Sequence, residues 1–121
     1  MKAFYIIIII CTIAVIGTLA NSIYVRRFSE EARLELKQID FDSESAAEQV
    51  EAFSSYTKEH LKRIEFSIPR NKSDEILNHL SSMLVQQQTQ NRHGFELSRV
   101  LLDNLLEEIA KLEEISFENL L

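Results

Sequence analysis

The chain has few of the residues that shape turn-rich or disulfide-stabilised folds. Its 121 residues include one cysteine, one proline, two glycines and no tryptophan. The single cysteine, Cys11, excludes a disulfide within the chain, so cysteine usage does not indicate a compartment. With so little glycine and proline, a sheet fold with many tight turns is disfavoured, and we expect helices.

Charge is also absent from the beginning of the chain. From Ala3 to Val25 there is no charged side chain, and this stretch contains the run Ile6–Ile10. A helix over Ala3–Ala20 would be about 27 Å long, close to the thickness of a bilayer core. Each isoleucine favours insertion by about 0.5 kcal/mol. We therefore predict a transmembrane signal anchor at residues 1–25, in the cell membrane as a single pass, and a helical domain at 26–121.

Two other interpretations of the apolar leader remain open. Met1-Lys2 is a short charged start and Thr18-Leu19-Ala20 is a tolerable cleavage site, so the leader can be a signal peptide and the mature protein secreted. The apolar run is longer than the roughly 7–15 residues of a typical signal core, which favours the uncleaved anchor. Lipidation at Cys11 is disfavoured because the three positions before it hold isoleucine instead of small residues.

The sidedness of the predicted anchor rests on two conflicting signals. Arg26, Arg27, Arg33 and Lys37 follow the span, whereas only Lys2 and the amino terminus precede it. The positive-inside rule alone would place the domain in the cytoplasm. Long domains often translocate regardless of charge, and the short start resembles a secretory signal. We expect an extracytoplasmic domain.

The charge balance narrows the class of partner. The formal net charge is −6, and Lys2 is the only charged residue before Arg26. An acidic domain disfavours nucleic acid as a partner. We expect the partners to be membrane lipid, through the span, and another protein.

Apolar residues at helical spacing predict four helices. The apolar stripe of the first helix continues beyond the span, and Ser45-Ala46-Ala47-Glu48 has the spacing of a capping box for a second helix that ends near Phe66. Pro69 stops that helix, and Asn71 and Ser73 can cap a third. The stripes of the first two helices are Phe28, Ala32, Leu36 and Ile39, and Ala46, Val50, Phe53, Thr57, Leu61 and Ile64.

The last two helices are separated by the polar stretch from Val85 to His93, with Gly94 marking the break. Ile76, Leu77, Leu80, Met83 and Leu84 form the apolar face of the third helix. In the fourth helix, from about Phe95 to Glu114, one face carries Leu97, Leu101, Leu105, Ile109 and Leu112, widened by Leu102 and Leu106.

Short links between such helices predict an all-α fold, in which an N-terminal transmembrane helix is followed by an antiparallel three- to four-helix bundle. The apolar tail from Ser116 to Leu121 can fold back onto it. The predicted core consists of Phe53, Leu61, Ile64, Ile76, Leu80, Leu84, Leu101, Leu105, Ile109 and Leu112.

Candidate metal sites have simpler structural interpretations. Glu75 and His79 lie one turn apart, but two ligands are too few for a metal site. Asp40, Asp42 and Glu44, followed by Glu51, resemble part of a calcium loop, although Ser45 stands where such a loop needs glycine. A capped turn between helices accounts better for these acids. His60 is expected at the edge of the core, and we expect no metal, cofactor-binding or catalytic residues.

Two charged surfaces are candidates for binding. Five basic residues near the end of the second helix can contact anionic lipid or complement the helix dipole. The final helix is acidic, and the two surfaces can also pair within the bundle. The basic set is Lys58, Lys62, Arg63, Arg70 and Lys72, and the acidic set is Asp103, Glu107, Glu108, Glu113, Glu114 and Glu118.

Three segments resemble a small bacterial single-span family catalogued as domain of unknown function 4363. They are the run Ser73-Asp74-Glu75-Ile76-Leu77, the leucine-rich segment from Leu101 to Leu112, and the ending from Ile115 to Leu121. Phe53 stands where a tryptophan is expected in the family. The resemblance covers nearly the whole chain and implies an anchored helical architecture without an assigned activity.

The sequence contains no Ser-His-Asp order, phosphate-binding glycine loop or zinc spacing. Its paired glutamates are adjacent on helices and do not face each other. We therefore expect a non-catalytic protein-interaction or scaffold module at the cell envelope. The alternatives are a secreted helical protein after signal-peptide cleavage and a ligand-sensing helical bundle.

Overall fold

Four α-helices make up the fold, as a computed structural model of the chain shows. They are α1 (Lys2–Gln38), α2 (Ala46–Ile64), α3 (Arg70–Gln88) and α4 (Arg92–Leu120). The structure describes the backbone of residues 2–120 and the side chains of residues 2–113, and this part of the chain contains no strand. The all-α prediction is therefore confirmed.

The first helix has two different halves. Every residue from 2 to 17 is exposed, whereas Val25, Phe28, Ala32 and Leu36 are buried in the bundle. The apolar stripe predicted beyond the span is confirmed, and it makes the second half of α1 one of the four bundle helices. The first helix is thus continuous with the bundle.

The helices form an antiparallel ring in chain order. α1 packs against α2 and α4, and α3 packs against the same two helices. The Ser29 hydroxyl donates to the Leu106 carbonyl of α4 at 2.6 Å, and Lys72 of α3 pairs with Glu108 of α4 at 2.7 Å. Links of only a few residues join consecutive helices, which forces neighbours to run in opposite directions.

The second helix has the predicted core face but a different start. All six residues of its predicted stripe are buried. The predicted capping box is wrong, because Ser45 makes no side-chain bond to a helix N–H and its backbone lacks the extended conformation of a capping residue. The Ser45 hydroxyl instead accepts a bond from Gln49 Nε2 at 3.2 Å. The helix ends at Ile64, so Phe66 lies outside it.

The third helix begins earlier than predicted. Pro69 is its N-cap, so Asn71 and Ser73 lie inside the first turn and do not cap it. Proline suits this place because its φ is already near the helical value, and a missing N–H costs nothing at a helix start. The Pro69 carbonyl accepts bonds from the N–H groups of Lys72 and Ser73.

The break between α3 and α4 lies at Gln90, which adopts a positive φ of 58°. Asn91 then caps α4, because its Oδ1 accepts the Gly94 N–H at 3.0 Å. The prediction that Gly94 marks the break is therefore wrong, since it lies in the first turn of α4. A Cβ at Gly94 would come within 2.8 Å of Gln86 Nε2 and 2.7 Å of Asn91 Nδ2, so the ends of these two amide side chains would have to shift to admit a larger residue.

The core-facing side of α4 is rotated from the predicted one. Leu97, Leu101 and Leu112 are exposed by 54%, 39% and 38%, whereas Leu102 and Leu106 are fully buried. Leucines occur on several sides of this helix, so two overlapping stripes fit the pattern. The structure selects the one that also buries Phe95 and Ser98 and meets Ser29 of α1.

The remaining core predictions are largely confirmed. Leu84 is half-buried and packs against the edge of the core. The segment from Ser116 to Leu120 continues α4, and the predicted packing of its side chains lies outside the described residues. The predicted core residues that are buried are Phe53, Leu61, Ile64, Ile76, Leu80, Leu105 and Ile109.

Candidate functional site

The first half of α1 is a long exposed apolar surface of the described chain. The five isoleucines Ile6–Ile10 are exposed by 45% to 60%. α1 is long and apolar enough to cross a membrane, and none of its most apolar 18-residue window is buried. A signal sequence near the N-terminus has the same properties, whereas a core helix of a soluble protein would be mostly buried.

The two threonines of this region satisfy their hydroxyl donors within the helix. Thr12 Oγ1 donates to the Ile8 carbonyl at 2.8 Å, and Thr18 Oγ1 donates to the Ala14 carbonyl at 2.9 Å. Such bonds explain why threonine costs little in an apolar span. The exposed half of α1 therefore presents an almost wholly apolar surface.

Packing against the bundle begins before the predicted end of the span. Thr18 and Leu19 are half-buried, and Ser22 and Val25 are buried. Residues 22–25 therefore belong both to the uncharged stretch and to the bundle. The apolar surface and the bundle meet between Gly17 and Ser22, without a linker.

An aromatic cluster with one histidine joins α1 to α2. His60 stacks on Phe28 with ring centroids 5.4 Å apart, and the Tyr56 ring lies 4.3 Å from the imidazole. The Tyr24 hydroxyl hydrogen-bonds His60 Nδ1 at 2.5 Å. His60 is half-buried, at the edge of the core as predicted. The cluster holds the two helices together at the level where the bundle begins.

Beside this cluster, Tyr56 borders an open groove between α1 and α2. The Tyr56 hydroxyl donates to Glu31 Oε2 at 3.0 Å. Burial, followed by this hydrogen bond and the charge of Glu31, raises the pKa of Tyr56 to about 12. Such a hydroxyl is a poor proton donor at neutral pH. The groove has a volume of about 460 Å³ and is lined by Glu35, Gln38, Ile39, Gln49, Ala52, Phe53 and Tyr56.

The other candidates from the sequence do not form a ligand cluster. His79 is half-buried and Glu75 is exposed, one turn apart on α3. Asp40 Oδ1 accepts the Asp42 N–H at 3.0 Å, and Asp42 forms an ion pair with Arg92. Among the described side chains, no group of three or more His, Cys, Asp or Glu residues is placed to hold a metal ion.

The acidic face of α4 is largely paired within the bundle, mainly with α1. Arg33 Nε contacts Asp103 Oδ1 at 2.9 Å, and its Nη2 lies 3.8 Å from Glu107. This carboxylate pairing raises the pKa of Arg33, which remains charged. The side chains of Glu114 and Glu118, which the prediction included, lie outside the described residues.

The basic cluster is divided. Lys72 pairs with Glu108 of α4, so it belongs to the bundle's internal ion pairs. Arg63 pairs with Glu59 on its own helix at 3.1 Å, and both side chains are exposed. Lys62 and Arg70 are exposed at the end of the bundle from which the apolar half of α1 extends.

Two features of the structure carry no sequence signal that could have located them. Arg99 donates to the Leu36 and Ile39 carbonyls at 2.8 and 2.7 Å, which closes the end of α1. Phe66, next to the second helix, is 96% exposed. The polar spacing of Arg99 resembles any solvated helix face, and a lone phenylalanine is normally expected in the core.

In comparisons with known proteins, no family model, curated protein or solved structure matches the chain. The resemblance described from the sequence therefore stays a prediction. The physical properties of the two surfaces, apolar on the first half of α1 and charged around the bundle, are the basis for assigning a function.

Proposed function

We propose that the chain is a single-pass membrane-anchored helical bundle that acts by contact with another protein and not by catalysis. The observation that carries the proposal is the exposure of every residue from 2 to 17 on a continuous helix. Several kcal/mol of insertion free energy from the isoleucine run favour lipid as the surroundings of this segment.

The arrangement of the bundle supports a contact role. His60 is held by Tyr24 and packed against aromatic rings, and the nearby groove is open. The core supplies a rigid body with charged faces, and Leu97, Val100 and Leu101 add an exposed apolar turn on α4. Apolar residues with a charged surround are common in protein contact surfaces.

The anchor is tested by membrane extraction of the full chain. We expect the parent to remain in the membrane pellet after alkaline carbonate washing. The double variant Ile10→Arg/Ile13→Arg should be released, because these residues lie near the middle of the span, where each arginine costs about 3 kcal/mol on the insertion scale. The matched control is Leu34→Arg, since Leu34 is 60% exposed on the bundle half of the same helix.

The control should stay in the pellet. Recovery of the parent chain in the aqueous fraction would refute the anchor. Retention of the double arginine variant in the pellet would also contradict it, because the proposed span would then not determine the location.

Secretion after cleavage is the second candidate, and one observation favours it. Cleavage after Ala20 would remove the exposed half of α1 and leave Ser22 and every buried residue after it in the chain. The bundle would therefore be complete without its leader. Mass measurement of the mature chain separates the two candidates, because the anchored protein retains residues 1–20.

We propose an extracytoplasmic location for the bundle, because long domains often translocate whatever the charge of the residues beside the span. The test is a Val85→Cys variant in a Cys11→Ala background. Val85 is 56% exposed, so a membrane-impermeant maleimide should label it in intact cells. Labelling only after lysis would place the bundle in the cytoplasm.

A further inference from the structure

The link between α2 and α3 holds an aromatic side chain away from the core. Ile64 and Ile68 are 1% and 6% exposed, while Phe66 between them is 96% exposed. The Ser67 N–H donates to the Ile64 carbonyl at 3.0 Å, and the Ser67 hydroxyl is placed to donate either to the same carbonyl, at 3.0 Å, or to the Glu113 carboxylate. These polar contacts of Ser67 and two buried isoleucines fix the link, so Phe66 points outward from a well-packed turn.

The position of this link along the bundle follows from the antiparallel packing of α1 and α2. Tyr24 of α1 lies level with His60 of α2. From His60 to Ile64 the second helix rises by about 6 Å, in the direction of the N-terminus of α1. The link therefore lies level with about residues 18–20, where the exposed apolar half of α1 ends.

Basic side chains surround Phe66 at this end. Lys62, Arg63 and Arg70 are exposed. The nearby acidic residues are Glu65 in the link, Asp74, which lines a surface groove with Phe66 and Arg70, Glu59, which pairs with Arg63, and the buried Glu113, which hydrogen-bonds Ser67. An aromatic ring with basic neighbours suits the boundary between headgroups and acyl chains, particularly in a membrane with anionic lipid.

The opposite end of the bundle has a different character. The link between α1 and α2 there carries Asp40, Asp42 and Glu44. Lys37 and Arg92 are also exposed there, and Arg92 pairs with Asp42. Phe66, Lys62 and Arg70 lie at the end from which the apolar helix extends. This polarity of the bundle indicates which end rests on the lipid.

We infer that the α2–α3 link is a second membrane contact, with Phe66 inserted at the lipid interface and Lys62 and Arg70 facing anionic headgroups. The inference rests on the proposed anchor and adds to it a fixed orientation of the bundle on the membrane surface. A bundle held at two points presents its far end and its sides to a protein partner.

The test uses tryptophan fluorescence, because the chain has no tryptophan of its own. Full-length Phe66→Trp is reconstituted in vesicles of phosphatidylcholine and phosphatidylglycerol, with or without brominated acyl chains. We expect brominated lipid to quench the fluorescence of this variant strongly. The matched control is Val85→Trp, because Val85 is an exposed apolar residue near the other end of the bundle, and it should not be quenched.

A third variant, Ile10→Trp, reports on the anchor independently. Quenching of Ile10→Trp without quenching of Phe66→Trp would overturn the second contact and leave the anchor intact. Absence of quenching in both would refute the anchor itself. Equal quenching of Val85→Trp and Phe66→Trp would also overturn the inference, because the bundle would then have no preferred end on the lipid.

The basic residues are tested in the Phe66→Trp background. Replacing Lys62 and Arg70 by glutamine should clearly reduce quenching in anionic vesicles, since each basic side chain near such a surface favours binding. Unchanged quenching would overturn the assignment of these two side chains to the headgroups.

Discussion

Two leucines of α4 allow a matched test of the bundle core. Leu106 is fully buried between α1 and the core, while Leu101, little more than one turn earlier, is 39% exposed. The proposed perturbation is replacement of each by alanine, one at a time. The two variants have the same change in side-chain chemistry on the same helix, so helix propensity cancels between them.

The expected magnitudes differ by several-fold. Leu106→Ala removes buried methyl groups and leaves a cavity, which costs about 2–5 kcal/mol of unfolding free energy. Leu101 is only partly withdrawn from water, so Leu101→Ala should cost about 1 kcal/mol or less. A domain of this size has a total stability of about 5–15 kcal/mol, so the first variant loses a large fraction of it.

The assay is urea unfolding of the full chain in mild detergent, followed by far-ultraviolet circular dichroism. The free energy of unfolding of each variant is compared with that of the parent, provided that its dependence on urea concentration has the same slope. A changed slope would indicate a change in the unfolded or native state. Equal losses for the two variants, or a larger loss for Leu101→Ala, would refute the orientation of α4.

Three further predictions concern polar groups. Burial raises the pKa of Glu113, against a lowering by its hydrogen bond with Ser67, so the native state binds this proton more tightly than the unfolded chain. Glu113→Gln should therefore stabilise the bundle at neutral pH. Unfolding measured at successively lower pH should show the difference in stability between variant and parent disappearing as the parent glutamate is protonated. Arg99→Met should cost about 2–3 kcal/mol in thermal or urea unfolding, because it removes charge-assisted bonds to the Leu36 carbonyl in the last turn of α1 and to the Ile39 carbonyl just after it. Arg99→Lys should recover less than the full loss. Tyr56→Phe should cost about 1 kcal/mol. The parent should also lose stability between the usual tyrosine pKa of 10.0 and about 12, and alkaline unfolding should show no such loss in the variant.

Each of these polar predictions has a clear contrary result. An unchanged pH profile for Glu113→Gln would show that the carboxyl is solvated in the native state. Full recovery by Arg99→Lys would contradict the two-carbonyl geometry, because lysine cannot reproduce the guanidinium fork. An alkaline profile that is the same in Tyr56→Phe and the parent would refute the raised pKa.

The spacing of apolar residues correctly predicts which residues are buried when a helix has only one apolar face. In α2, Val50, Phe53 and Leu61 stand on a helix that is otherwise polar, so a single stripe satisfies the spacing and the structure buries all of it. In α4 the pattern is ambiguous, because Leu101 and Leu102 are both leucine and adjacent residues lie about 100° apart. Contacts with α1 and α3 settle the rotation, and those contacts are not encoded within the helix itself.

The exact ends of the helices depend on which of several local hydrogen bonds form, and a sequence motif does not determine that choice. Ser45 has the residue type of a cap, yet Ser43 and Gln49 engage its hydroxyl. Pro69 is predicted to stop a helix, and it also begins the next one. In both cases the residue types are informative about a boundary, whereas the position of the first helical residue depends on which hydrogen bonds the link can form.

The candidate surfaces are predictable to different degrees. The apolar half of α1 follows from the missing charges alone. The contact of Tyr24 with His60 joins residues 36 positions apart, so no local pattern can indicate it. The exposure of Phe66 depends on two isoleucines beside it being buried, and only the packed link shows which of the three apolar side chains is left outside.

Because α1 runs without interruption from Lys2 to Gln38, its apolar half and its bundle half are rigidly coupled. Each helical residue adds about 1.5 Å of length and about 100° of rotation. One residue inserted between Gly17 and Ser22 would rotate the four-helix bundle about the axis of α1, relative to the isoleucine run. The contacts from Ser22 onward inside the bundle would stay the same. The number of residues between Gly17 and Ser22 therefore determines the rotational orientation of each bundle face relative to the isoleucine run.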